Sequence, residues 1–220
     1  TSQAQTVLSG QGVGTGDELF RPEGIVLDST NNRVLVIDQA QEALLAIDLA
    51  TGNRTVITNQ DSEGAGIGAL TGVALTSDGQ TAFLLDMGQQ LLFSVDVASG
   101  ARTVVSGRDP DTNNVIGSEF KLLFAQAIIL DETNNRALVT NIDLKGVQAV
   151  DLATGVVTEL SSESIGSGPK LNEPLAIGFD ADNRLLVLDA AVRALFSIDA
   201  KTGNRVMTSW TDVSPQNNLF

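Results

Sequence analysis

Residues 42–57 read EALLAIDLATGNRTVI, and the same reading returns at 90–105 as QLLFSVDVASGARTVV, at 146–160 as GVQAVDLATGVVTEL and at 193–207 as RALFSIDAKTGNRVM. Each copy is a largely apolar run ending in aspartate, a turn, and a short strand of mixed polarity. The aspartates Asp48, Asp96, Asp151 and Asp199 stand 48, 55 and 48 residues apart, and Gly52, Gly100, Gly155 and Gly203 keep the same intervals. Such regularity marks a structural unit repeated along the chain.

A second block precedes each copy in phase with it: GIVLDSTNNRVLVID from Gly24, GVALTSDGQTAFLLD from Gly72, AIILDETNNRALVTN from Ala127 and AIGFDADNRLLVLD from Ala176. Asn31-Asn32, Asp78-Gly79, Asn134-Asn135 and Asp182-Asn183 tolerate positive φ and predict a hairpin turn inside each block. One unit thus parses into four strands. The first three are continuous apolar runs, as in Ile25–Leu27, Val34–Ile37 and Leu44–Ile47, which predicts cover on both faces. The fourth alternates, as in Arg54–Thr58, and suits an outer edge half in water.

Inner strands sandwiched between neighbouring sheets, with an outer strand facing solvent, are what radial packing requires, so the fold expected is all-β: a β-propeller of four-stranded blades. A β-solenoid or a two-sheet sandwich is the rival, but a unit near 48 residues is too long for a solenoid coil. The repeats fall at about 6–54, 55–102, 103–157 and 158–205 of a single domain, 1–220. Thr6–Ser9, TVLS, matches the outer-strand segments TVIT and TVVS, and Asn218-Leu219-Phe220 resembles Glu18-Leu19-Phe20 ahead of the first unit. Four complete blades plus an extra outer strand predict a piece of a larger ring of six to eight blades, completed by further blades or, alternatively, by a second copy.

Composition removes several functions. Histidine, cysteine and tyrosine are absent, so a Ser-His-Asp triad, a Cys-His pair and a histidine zinc site are excluded. The net charge of −14 repels phosphate backbones and anionic lipids, which argues against nucleic acid, and no apolar run is long enough for membrane insertion. The polar opening Thr1–Gln5 fits a mature secreted chain, and an extracytoplasmic location, periplasmic or secreted, is the expectation.

The pattern RPEGIVLD, NNRVLVID, ALLAIDLATGNRTVIT resembles the NHL-repeat and regucalcin/gluconolactonase-like propellers over nearly the whole chain. In the lactonase branch of that group, the resemblance implies a calcium at the mouth of the central channel, held by carboxylates and an asparagine. One such position resembles Glu23, while the matching residues Thr71, Gln126 and Leu175 are not carboxylates. The leading function is accordingly a non-catalytic binding or scaffold propeller that recognises a protein, peptide or carbohydrate on its loop-rich rim. The alternative is a calcium-dependent lactonase-like hydrolase, with Glu23 and Asp38 as candidate catalytic residues.

Candidate sites follow from topology. The second strands end at Asp38, Asp86, Asn141 and Asp189 on the rim that carries function in propellers, a ring that would suit a hard cation or else repeat one turn bond per blade. Asp48 and its copies lie on the opposite rim and read as turn chemistry. The long loop before the third unit places Asp109, Asp111 and Asn113 at calcium-loop spacing, with Asn114 where a glycine is expected. The third unit also carries Gln148 where the others have Leu45, Phe93 and Phe196, and Lys121, Gln126, Asn141 and Asp143 are its candidate ligand-facing patch. The glycine-rich stretches lack a P-loop lysine and read as rim loops; Trp210 reads as edge packing.

Overall fold

The apolar runs form seventeen strands in four antiparallel sheets, in a computed structural model that describes residues 6–10, 12–119 and 121–210. The first blade is β1 (Pro22–Asp28), β2 (Arg33–Asp38), β3 (Ala43–Asp48) and β4 (Arg54–Thr58). The second is β5 (Leu70–Leu75), β6 (Thr81–Asp86), β7 (Leu91–Asp96) and β8 (Arg102–Arg108), extended by the short β9 (Val115–Ile116). The third is β10 (Ala125–Asp131), β11 (Arg136–Asn141), β12 (Gly146–Asp151) and β13 (Val157–Ser161). The fourth is β14 (Pro174–Phe179), β15 (Leu185–Asp189), β16 (Ala194–Ile198) and β17 (Arg205–Trp210). In each sheet the strands lie in chain order.

Consecutive blades meet mainly through their first strands, β1 on β5, β5 on β10 and β10 on β14, which makes those strands the innermost. Sheets that fan out from adjacent first strands are a propeller arrangement, as the repeat predicts. Backbones converge near the axis, and small residues allow it: a Cβ on Gly72 would stand 3.1 Å from Ile128 Cγ2 and 3.2 Å from the Gln126 carbonyl oxygen of the next blade. The matching positions are Gly24, Ala127 and Ala176. Farther out the faces interlock through Leu84 and Phe93 toward the first blade, Phe83, Leu85 and Leu92 toward the third, and Val187 and Phe196 of the fourth toward Leu138 and Val147. Burying each of these side chains contributes about 1.5–3 kcal/mol.

The hairpin turns behave as their residues predict, with positive φ at Asn32, Gly79, Asn135 and Asn183. On the opposite rim the D-x-x-[T/S]-G turns are alike: one oxygen of Asp48 accepts the N–H of Ala50 and Thr51 and the Thr51 hydroxyl at 2.7–2.9 Å, and Asp96 and Asp151 repeat the set. Each turn glycine lies against a carbonyl of the preceding blade's outer strand, so a Cβ on Gly100, Gly155 or Gly203 would stand 2.0–2.1 Å from Ile57, Val105 or Leu160 oxygen. No side chain fits there.

Three features depart from expectation. The outer strands do not alternate by the usual rule, because Arg54, Arg102 and Arg205 are buried while Val56 and Val206 are exposed. Each guanidinium reaches back to the loop that joins its blade to the one before: Arg102 donates to the carbonyls of Asn59, Ser62, Gly64 and Ala65 and to the Thr58 hydroxyl. Arg205 likewise holds Ser162, Ile165 and Pro169 carbonyls and the Ser161 hydroxyl. The charge is solvated by carbonyl dipoles instead of a carboxylate.

Second, Thr6–Ser9 is not a regular strand, since no inner strands lie beside it to supply a ladder among the described residues. It nevertheless occupies an outer strand's place. Leu8 oxygen meets Gly52 as Ile57 oxygen meets Gly100, and Ser9 Oγ accepts from Arg54 Nη1 at 2.6 Å as Ser161 Oγ does from Arg205. Third, the third blade has Val157 where the others have arginine, and its connecting loop is secured by a hairpin of its own, β8–β9, with an Arg108–Glu119 ion pair at 2.6 Å. The expectations for Trp210 packing and for 218–220 fall outside the described side chains and residues.

Substituting Arg102 by Met is expected to leave the Ser62, Gly64 and Ala65 carbonyls without their side-chain donor and to destabilise the chain by about 3 kcal/mol, measured by urea unfolding. Val157→Arg in the third blade is expected to gain nothing, because the loop there is already held.

Candidate functional site

The rim formed by the β2–β3 type turns and by the lead-ins to each first strand carries every candidate except the opposite-rim aspartates and the β8–β9 hairpin. Asp38, Asp86, Asn141 and Asp189 are all buried there. Asp38 accepts the N–H groups of Phe20 and Arg21 on one side and of Ala40 and Gln41 on the other, at 2.6–3.2 Å. Asp189 does the same with Asn172, Glu173 and Val192, and Asp86 with Gly68 and Gln89. Burial opposes the charged form of Asp38, but the hydrogen bonds from Phe20, Gln41 and Arg21 outweigh it and hold the carboxyl below its ordinary range. These carboxylates tie the lead-in loop to the turn. A carboxylate so acidified and so fully occupied makes a weak general base.

Glu23, the other candidate catalytic residue, is at the exposed start of β1 in an ion pair with Arg21, Nε to Oε1 2.9 Å. Among the described residues no group of three or more acidic side chains is placed to hold a metal ion. Asp109, Asp111 and Asn113 belong to the β8–β9 turn, where Asp109 Oδ1 accepts from Asp111 and Thr112 N–H, and Asn113 takes φ of 60°. The segment Asp109–Asn114, DPDTNN, is thus another copy of DLATGN at Asp48–Asn53, with asparagine in the glycine's place. That turn accounts for the alternating oxygen spacing without a cation.

Asn141 is the informative exception. Its Oδ1 accepts from Leu144 N–H at 2.9 Å, as the aspartates accept from their own turns, but its Nδ2 donates to the Leu123 carbonyl at 2.8 Å and to Gln148 Oε1 at 3.0 Å. Where the other blades point lead-in N–H groups at a carboxylate, the third points a carbonyl at an amide. The Leu123–Phe124 peptide is turned over, and Phe124 sits at φ of 59°, a region that costs a residue with a side chain about 1–2 kcal/mol. The two departures at Asn141 and Gln148 are therefore one exchange: the extra amide N–H needs an acceptor, and the buried Gln148 supplies it. Gln126 Nε2 adds a 3.3 Å contact to the Phe124 carbonyl.

Beside this exchange opens a groove of about 610 Å³ lined by Lys121, Leu123, Asn141, Asp143, Lys145 and Glu159, among others. Three members of the candidate patch, Lys121, Asn141 and Asp143, come together in it; Gln126 does not line it and turns its amide to the Phe124 carbonyl and the Met87 sulfur. Sequence reasoning missed Leu123, Lys145 and Glu159, although the i+3 and i+4 positions after Asn141 were visible as its turn. A second hollow of about 730 Å³ lies between the third and fourth blades on the opposite rim, but its arginine is spent on Asp131 and on the Ala200 carbonyl, and Glu132 receives Ser77.

With this geometry the chain is a β-propeller by class, and comparison with known proteins supports that level of description. No protein-family model and no curated protein matches it. Solved structures do. A chain from a nidogen/laminin complex aligns with a TM-score of 0.56 at 15% identity, covering 84% of this chain and 78% of the other. A structural genomics protein of unknown function from Bacteroides thetaiotaomicron VPI-5482 aligns with a TM-score of 0.61 at 19% identity, over 92% of this chain and 48% of that one. Kuenenia stuttgartiensis hydrazine synthase gives 0.61 at 15% identity, with 91% and 51% covered. The chain spans about half the length of the last two, and at these identities the likeness concerns fold alone.

Asp38→Asn tests the rim anchors. Its amide N–H₂ would face the Phe20 and Arg21 N–H groups, and a loss of about 2 kcal/mol is expected at pH 7 by thermal unfolding. Because the folded-state pKa is below the ordinary 3.8, this carboxylate's contribution is complete above that value and is lost as pH falls through the folded pKa. The gap between wild type and variant should narrow on acidification below about pH 4.

Proposed function

We propose that this protein is a non-catalytic recognition propeller that takes its ligand, a protein, peptide or carbohydrate, in the third-blade groove. The observation that carries this reading is the coincidence of the groove with the one blade whose rim breaks the repeat. Asp38, Asp86 and Asp189 serve the fold in their own blades, whereas Lys121, Asp143 and Lys145 make no side-chain hydrogen bond among the described residues and are exposed beside the cavity. Charged groups left in solvent next to a preformed hollow suit a ligand of matching polarity. The neighbour drawn from a nidogen/laminin complex is consistent with a propeller engaged by another protein. An extracytoplasmic setting belongs to the same reading, as does membership of the NHL-like group.

The blades are, on this reading, an arc of a larger ring. Ile25 and Leu27 on the first blade are 66% and 60% exposed, and Leu188 on the fourth is 50% exposed. In the middle blades the corresponding faces are covered by a neighbour. Thr6–Ser9 supports the same conclusion by standing where the outer strand of a preceding blade would stand. Further blades of the same pattern are the partners that both end faces fit.

Two measurements test these statements. Panning a displayed peptide library and a glycan array on the protein is expected to yield ligands that bind at least tenfold more weakly to the Asp143→Arg/Lys145→Glu variant; ligands indifferent to that change, or none from either source, would contradict the groove. Small-angle scattering of the 220-residue chain is expected to show an open arc that binds a hydrophobic dye, with less dye bound after Leu188→Glu. A closed ring of four blades without dye binding would refute the larger ring.

A further inference from the structure

Leu123 and Phe124 are 39% and 46% exposed, and their exposure differs in kind from that of Ile25 or Leu188. They lie on the rim of a blade already flanked by a neighbour on either side, so no additional blade would cover them. Phe124 is also the only residue at its place in the four lead-ins to hold a positive φ; Arg21, Ala69 and Glu173 do not. Two side chains peculiar to this blade hold the conformation, Asn141 Nδ2 on the Leu123 carbonyl and Gln126 Nε2 on the Phe124 carbonyl, beside the Ile142 N–H to Phe124 carbonyl bond that every blade makes. Leu123 lines the groove and Phe124 follows it in the chain, so an apolar pair is fixed beside the groove, at a cost to local backbone energy, by Asn141 and Gln126, which depart from the repeat.

Building on the recognition reading above, we infer that Leu123 and Phe124 are the apolar anchor of the binding surface and that its ligand is a polypeptide segment carrying an apolar side chain beside charged ones. The groove walls present both signs, Lys121 and Lys145 with Asp143 and Glu159. A polyanion would meet the carboxylates, and a neutral glycan would leave both signs unanswered, whereas a peptide can match each and set an apolar side chain against the rigid pair. Asn141 and Gln148 act as positioning residues, holding the Leu123–Phe124 peptide in the turned-over state in advance of binding.

The experiment takes the strongest peptides recovered by panning and compares their affinities for wild type and three variants by calorimetry. Phe124→Gly removes the ring and suits the positive φ. Asn141→Asp/Gln148→Leu restores the chemistry of the other blades, keeps Phe124, and lets the peptide return to their orientation. Phe124→Tyr keeps the anchor. Tenfold or greater weakening is expected for the first two, with melting temperatures within a few degrees of wild type, and near-wild-type affinity for the third. An apolar residue in the enriched peptide consensus is expected as well. Peptides weakened by Asp143→Arg/Lys145→Glu but indifferent to Phe124→Gly would overturn this inference and leave the groove standing, and a ligand set of glycans alone would do the same. Retained affinity in the Asn141→Asp/Gln148→Leu variant, with Phe124→Gly still weak, would overturn the positioning role.

Discussion

Each inner sheet of this molecule is apolar on both faces, and a sheet of that kind is stable in water only with a neighbour on either side. That requirement organises the rest. It places the first strands side by side, demands Gly or Ala where backbones converge, and pushes polar groups to the two rims and the outer edge. It also makes the outer face of the fourth blade conspicuous, since Leu188 is exposed where the matching Leu85 of the second blade is buried.

The links between blades are polar, and they obey a second rule. An outer-strand arginine reaches back to the preceding connection and satisfies its carbonyls, while a buried second-strand aspartate satisfies the N–H groups of the lead-in from the opposite side. Donors and acceptors of an otherwise irregular loop are thus matched by one charge of each sign. The third blade abandons both halves of the rule, with Val157 for arginine and Asn141 for aspartate, and replaces them with a hairpin, an ion pair and an amide pair. The loop held in this different way borders the groove.

The strands, hairpin turns and radial order were legible because they rest on short-range patterns: apolar runs, Asn-Asn or Asp-Gly turns, a fixed interval. The D-x-x-T-G turn was also correctly read as local chemistry. Arg54, Arg102 and Arg205 were not legible, because an arginine alternating with valine looks like a solvent-facing edge, and only the fold reveals that carbonyls converge on it. DPDTNN has calcium-loop spacing and is also a copy of the DLATGN turn, because turn and calcium site share the same spacing of oxygens; the second likeness was equally available in the sequence. Asn141 and Gln148 stood out individually, but their hydrogen bond joins adjacent strands and became visible only with the register. Lys121 and Asp143 meet in the groove because the lead-in and the β11–β12 turn share a rim, a consequence of topology more than of any motif.

Amide hydrogen exchange resolved by strand measures most directly whether shielding by neighbours holds this chain together. Strands β5–β7 and β10–β12, covered on both faces, should exchange slowest, while β1 and β14–β16 at the ends of the arc should open more readily. Equal protection across all four sheets would mean that the terminal faces are covered too, and an arc of blades with open ends would be the wrong description.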